Sequence, residues 1–196
     1  MVAGIFLAAG EGRRFGSGKL LSPVDGVPVI VRSLKASVES SLGEIIVVLG
    51  HEADLIEKKI REYFAGTGKL RIVINSNFKE GMISSLNCGL KELKEGTDGA
   101  MMILGDMPFV RSDTINKLIR SWNGRDFLIP EVNGKKVHPR IIPEAVFKDF
   151  QELDSLGSGK AVLEKNRNII KTVAFRSEKE FRDIDLRSDL PDSGEN

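Results

Sequence analysis

The residues best equipped for chemistry follow short apolar runs. The first group lies in residues 7–30, "LAAGEGRRFGSGKLLSPVDGVPVI". Gly10, Gly12 and Gly16 keep side chains away, so backbone N–H groups are free to approach phosphate oxygens. The segment Leu7, Ala8, Ala9, Gly10, Gly12 is therefore the expected anion-binding edge. Arg13, Arg14 and Lys19 add positive charge to the same loop. The pattern is that of an anion binder. Two familiar phosphate motifs fit it poorly. A Walker loop needs Ser or Thr directly after Gly-Lys, and here Gly18-Lys19 precedes Leu20. A dinucleotide fingerprint needs its third glycine three residues after the second, and Gly16 comes four after Gly12.

The second group is "LGDMPFV", residues 104–110. Asp106 follows an apolar run, between flexible Gly105 and stiff Pro108. A hard cation such as Mg2+ is commonly held by one or two carboxylates plus phosphate oxygens. Asp106 is the first candidate ligand. Its competing reading is a turn or cap residue, but Ser112 and Asp113 are better placed to cap the next helix. In "FRDIDLRSDL" (181–190), Asp183 and Asp185 alternate along a short expected strand. Asp185 is the expected second metal ligand, or else a helix cap. In "NSNFKEGMISSLNCGL" (75–90), Asn75, Gly81, Ser84 and Ser85 are candidates for a nucleobase edge. Plain helix capping would explain the serines equally well. His138, before Pro139, is an expected acceptor contact, while His51 reads as a residue flanking a helix. No Ser/His/Asp triad or Cys/His metal cluster is visible.

These groups need a scaffold that brings them together. The apolar runs 3–8, 45–49, 72–74, 100–104, 127–129 and 169–173 read as strands covered on both faces. Amphipathic stripes separate them. They are Ile30, Val31, Leu34, Val38; Leu55, Ile56, Ile60, Phe64; Leu86, Leu90, Leu93; Ile115, Leu118, Ile119, Trp122; and Val146, Phe147, Phe150, Leu153. The alternation predicts an α/β three-layer α/β/α sandwich, a Rossmann-like, mostly parallel sheet. Residues 1–190 form the expected single domain, 191–196 a flexible tail, and 132–143 an inserted hairpin or lid-like segment. In such a sheet ligands bind beyond the carboxyl ends of the strands, where each group above falls.

Composition agrees. The 196 residues are 41% hydrophobic and 29% charged, with a net charge of +1. That charge argues against a nucleic-acid or acidic-membrane partner held by bulk attraction. No apolar run approaches the ~18–20 residues of a membrane span. The single cysteine, Cys88, reads as a small buried residue, and a reducing cytoplasm is the expected compartment.

Five segments, "LAAGEGRRFGSGKLL", "EGMISSLNCGL", "LGDMPFV", "VHP" and "DIDLRSDL", occur in the order seen in MobA-like NTP transferases. The resemblance runs from Val2 to Leu190 and is closest to the molybdenum cofactor cytidylyltransferase branch. It implies a fold of the nucleotide-diphospho-sugar transferase type. It also implies transfer of CMP from CTP to a phosphorylated acceptor, molybdopterin, with release of pyrophosphate and with Mg2+ as cofactor. Arg14 and Lys19 match the family's phosphate-binding residues, Asp106 its magnesium aspartate, Ser85 its base-recognition segment, and Asp185 a late residue near the metal. A molybdoenzyme or chaperone is the further partner such a role implies. The sequence departs from the family's usual patterns at Val137-His138-Pro139, at Ser158 and Lys160, and at Leu186-Arg187-Ser188. All three lie in the acceptor half. They leave open a different acceptor (a sugar phosphate or another pterin), GTP as donor, or a non-catalytic nucleotide-binding role. A nicotinamide oxidoreductase is disfavoured by the glycine spacing and by the missing ribose acid.

Overall fold

Side chains along the central strands alternate between two apolar clusters, and that alternation builds the layers. The computed structural model describes residues 1–153 and 158–191. In chain order the elements are β1 (Val2–Ala8), a small hairpin of β2 (Pro23–Val24) and β3 (Val27–Pro28), α1 (Val29–Val38), β4 (Ile45–Leu49), α2 (Ala53–Tyr63), β5 (Leu70–Ile74), α3 (Met82–Leu90), β6 (Gly99–Leu104) and α4 (Ser112–Ser121). Then follow β7 (Phe127–Val132), β8 (Lys135–Lys136), β9 (Arg140–Pro143), α5 (Phe147–Gln151), α6 (Gly159–Lys165) and β10 (Ile170–Phe175). Phe6 and Ala8 of β1 and Val47 and Leu49 of β4 join α1, α2 and α4 in one cluster. Ile5, Leu7, Ile46 and Val48 point the other way, toward α3, α5 and α6. The result is the expected three-layer α/β/α sandwich.

The main sheet runs β10-β7-β9-β6-β1-β4-β5, with β8 paired to β7. β1 lies parallel to both β4 and β6, β4 parallel to β5, and β10 parallel to β7. Only β9 runs against its neighbours β6 and β7 among these seven strands. The chain moves outward from β1 through β4 to β5 and then returns to β6 on the other side of β1. This reversal creates a crevice at the carboxyl ends of β1 and β6, the preferred ligand position in open α/β sheets.

Several expectations change here. Residues 132–143 are not a lid: they form the β7–β8 hairpin and then β9, wedged inside the sheet with Ile141 and Ile142 fully buried. The outer strands are not covered on both faces, because β5 and β10 are edges with half-exposed or exposed residues. Leu55 is 57% exposed and lies off the buried face of α2, which Ile56 and Ile60 form. Trp122 ends α4 rather than belonging to it, and its indole N–H donates to the Asp126 carbonyl. Ser112 and Asp113 sit inside α4 and do not cap it. The buried Glu180 carboxylate accepts from the Arg111 N–H and the Thr114 hydroxyl instead. Asp183 and Asp185 lie in an extended segment that pairs with no strand. Cys88 is only half-buried. Among the described residues no helix is long and apolar enough to cross a membrane. Residues 192–196 of the expected tail lie outside the described residues.

Candidate functional site

The loop after β1 turns because its glycines accept backbone angles that other residues resist. Gly12 has φ +59, and a Cβ there would sit 3.1 Å from Lys19 Cδ. Glycine therefore opens the slot through which the lysine stem passes. A short 3-10 turn, Lys19–Leu21, starts from left-handed Gly18 and anchors the lysine backbone while Leu20 enters the core. The loop after β5 supplies the facing wall. It reaches back over the end of β4, where Gly50 leaves room: a Cβ there would be 2.7 Å from Phe78 Cβ.

Between these walls lies a cleft of about 400 Å³. Leu7, Ala8, Ala9, Gly10 and Gly12 line one side, as expected, together with Lys19 and Asp106. Gly81 and Ser85 line the other side with Phe78, Lys79 and Met82. Asn75 and Ser84 stand behind this wall. The Asn75 side-chain amide donates to both Ser84 Oγ and Ser85 Oγ at 3.0 Å, and Ser84 Oγ donates to the carbonyls of Gly81 and Asn77. Asn75 and Ser84 thus orient Ser85 and the first turn of α3. Phe78, Lys79 and Met82 escaped the sequence reading, though they follow a strand's carboxyl end. Their position was the available signal.

The charged centre joins three distant segments. Lys19 Nζ lies 2.7 Å from Asp106 Oδ2 and 3.4 Å from Asp185 Oδ1. Arg14 lies 3.0 Å from Asp185 Oδ2 at the exposed mouth. Asp106 Oδ1 is buried and has no hydrogen-bond partner. Asp183 is close enough to feel Asp185, Asp106 and Lys19. Burial raises its carboxyl above the ordinary range, opposed by its own backbone N–H, while the two neighbouring aspartates push it further up. Arg14 and Lys19 therefore face three carboxylates, which leaves the cluster negative by one charge.

The segment after β10 delivers Asp185. The Ile184 N–H donates to the Asp106 carbonyl at 2.9 Å, and Ile184 is fully buried. Asp189 Oδ2 accepts from the N–H groups of Asp185 (2.8 Å) and Leu186 (2.6 Å). So Asp189, not Asp185, closes this turn. The Arg187 guanidinium packs over the Phe15 ring and ties the segment to the glycine loop. Together these contacts strap the C-terminal segment across the crevice.

Among the described residues no three His, Cys, Asp or Glu side chains converge into a metal cage. The orphaned Asp106 oxygen and adjacent Asp185 nonetheless fit a hard cation that completes its shell with phosphate oxygens and water. His138 precedes β9. It sits in a bend and is not among the residues that line the cleft. Its Nε2 is buried without a partner, and burial, helped by Arg140, pulls its pKa down to about 3. His51 leans its ring toward Phe78, and its N–H donates to the Ala9 carbonyl.

The family model for the MobA-like NTP transferase domain matches residues 4–170. The bifunctional protein GlmU of Geobacter sulfurreducens is 23% identical over 140 residues, 70% of this chain and 28% of GlmU. The purine catabolism protein PucB of Bacillus subtilis is 31% identical over 119 residues, 59% of this chain and 58% of PucB. The match thus spans about a quarter to three fifths of these relatives. Rv0371c of Mycobacterium tuberculosis superposes with a TM-score of 0.81 at 21% identity, covering 96% of this chain and 94% of that one. Its complex with manganese gives 0.72 at 20%, covering 90% and 89%. Mth528, a nucleotidyl transferase from Methanothermobacter thermautotroptrophicus, gives 0.81 at 23%, covering 96% and 94%. At these identities the structural likeness speaks for the fold.

Proposed function

Because the chain belongs to the MobA-like NTP transferase family, we propose that it transfers a nucleotidyl group from a nucleoside triphosphate to a phosphorylated small molecule, releasing pyrophosphate. The observation that carries this reading is the Lys19–Asp106–Asp185–Arg14 cluster at the sheet's switch point, with one buried aspartate oxygen unpaired.

The chemistry suits this inventory. A phosphomonoester has a second pKa near 6, so at neutral pH it is already a competent nucleophile. No general base is required of the protein. The remaining tasks are to hold two polyanions together and to stabilise charge on the phosphate under attack. Backbone N–H groups from Ala8 to Gly12, with Lys19 and Arg14, do this for the triphosphate. Ser85, held by Asn75, and the apolar surface of Phe78 and Met82 receive the base. Asp106 and Asp185 would hold a divalent cation, which supplies further charge neutralisation when bound. The manganese complex of Rv0371c supports a divalent metal. Magnesium is the physiological ion we assign.

For the donor we assign CTP, and for the acceptor molybdopterin. The motif order and Ala9, which resembles the cytidylyl branch, support this choice. His138 is assigned to the acceptor. The departures at Val137, Ser158 and Leu186-Arg187-Ser188 favour one second reading, a different phosphorylated acceptor on the same donor chemistry. A pyrophosphate-release screen tests both: each of four nucleoside triphosphates against molybdopterin and a panel of sugar and pterin phosphomonoesters, with Mg2+. Release with CTP and molybdopterin alone is the expected result. Release with another pair reassigns the substrates, and no release with any pair refutes the transferase reading.

A further inference from the structure

Lys19 touches both aspartates at once, and it is itself nearly enclosed, with 11% of its side chain exposed. Its ammonium lies at hydrogen-bonding distance from Asp106 Oδ2 and within ion-pair range of Asp185 Oδ1. Asp106 Oδ1 stays free for a cation, but the Asp106 Oδ2 and Asp185 Oδ1 that would share in holding it are already taken by the ammonium. A compact ammonium and a hard metal ion compete for the same lone pairs. Leaving would cost the lysine two charged partners inside a half-buried site, unless another anion receives it. The stem is long enough to swing: its backbone is fixed by the 3-10 turn, while four rotatable bonds lie beyond Cα. The glycine loop that would cradle the triphosphate is the slot the stem already crosses at Gly12.

We propose that Lys19 is a tethered counter-ion that excludes free divalent metal from Asp106 and Asp185, so that the site admits metal together with a triphosphate. The triphosphate gives the ammonium a new partner, and the aspartates become available to the cation that travels with it. Lys19 then acts twice, as metal competitor before substrate arrives and as phosphate ligand afterward. Linkage makes the effect reciprocal: triphosphate raises metal affinity by the factor by which metal raises triphosphate affinity. The proposal rests on reading Asp106 and Asp185 as metal ligands.

The test is Mn2+ alone, titrated into the intact protein and followed by the electron paramagnetic resonance signal of free ion. Lys19→Met is expected to bind Mn2+ on the order of tenfold more tightly than the wild type, within the usual range of site coupling. Lys19→Gln, which keeps a polar side chain, should gain similarly, and Lys19→Arg should not. Lys79→Met removes a cation that lines the cleft and, among the described residues, forms no ion pair with the aspartates. It controls for general charge and should shift affinity by less than about twofold. Adding Asp106→Asn to Lys19→Met should erase the gain. Thermal melts establish that each variant is folded. If folded Lys19 variants bind Mn2+ no more tightly while Asp106→Asn still weakens it, the counter-ion role is wrong and the metal site stands. If Asp106→Asn changes Mn2+ binding in neither background, the metal site and the proposal both fall.

Discussion

Two ionic clusters sit at opposite ends of the same sheet. At the amino end, Arg71 pairs with Glu92 at 3.0 Å and Glu44 at 3.4 Å, and Lys94 also reaches Glu44 at 3.3 Å. At the carboxyl end, Arg14 and Lys19 meet Asp106, Asp183 and Asp185. Both contain buried polar atoms without partners: Glu44 Oε2 and Arg71 Nε in the first, Asp106 Oδ1 in the second. An unpaired atom therefore does not by itself mark a functional site. The clusters differ in charge balance and in surroundings. The first has two acids and two bases, and its cations reach solvent, with Arg71 38% and Lys94 68% exposed. The second has an excess carboxylate and opens into 400 Å³ of space lined by glycine backbone. A balanced network ties elements together. An unbalanced, open one invites an ion.

That contrast can be broken from either side. The largest effect is expected at Asp106. Asp106→Asn keeps the shape but removes the charge, and pyrophosphate release should fall about 10²–10³-fold or more, the scale of removing one preorganised transition-state contact. The melting temperature should change little, because Lys19 keeps Asp185. Substantial activity in this variant would remove Asp106 from the metal role. At the other end, Glu44→Gln should cost about 1–3 kcal/mol of stability in a denaturant titration, since it weakens two partners of a nearly buried carboxylate. Its turnover below the melting transition should match the wild type. A matched loss of activity there would erase the distinction between the clusters.

The last effect vanishes near neutral pH and shows only in acid. His138 is held neutral by burial, with a folded pKa of about 3, against an ordinary value of about 6.5. The unfolded chain therefore takes up a proton that the folded chain refuses. The stability this neutral histidine supports is intact above about pH 6.5 and declines as pH falls toward 3. His138→Phe should flatten that part of a stability-versus-pH curve and leave the plateau near pH 8 almost unchanged. An unaltered acid limb would show that His138 is not buried as described.

The glycine-rich wall of the cleft was legible in sequence because its signals are local. Gly10, Gly12 and Asp106 each stand within a few residues of a buried strand end, Lys19 follows in the same glycine-rich loop, and the parallel-sheet rule says that such ends converge. The apolar alternation in β1 and β4 likewise fixes two faces from short-range periodicity. Other parts lacked such a signal. β9 resembles a loop because its four residues, Arg140–Pro143, carry too little periodicity to announce a strand, and only pairing with β6 and β7 makes it one. Leu55 looked like core because composition does not reveal which face a helix presents.

The sequence by itself determined the layer architecture, the glycine-rich loop and the carboxylate that follows β6, since each is written in residue types over short spans. The tertiary structure decided the rest. It joined Lys19 to Asp106 across 87 residues and to Asp185 across 166. It made Asp189 the brace of the closing strap, put Asn75 behind Ser85, and set two cations against three carboxylates. Those relations depend on where separate loops meet in space. Chain crossings of that length follow from the packing of whole layers, and no local pattern encodes them.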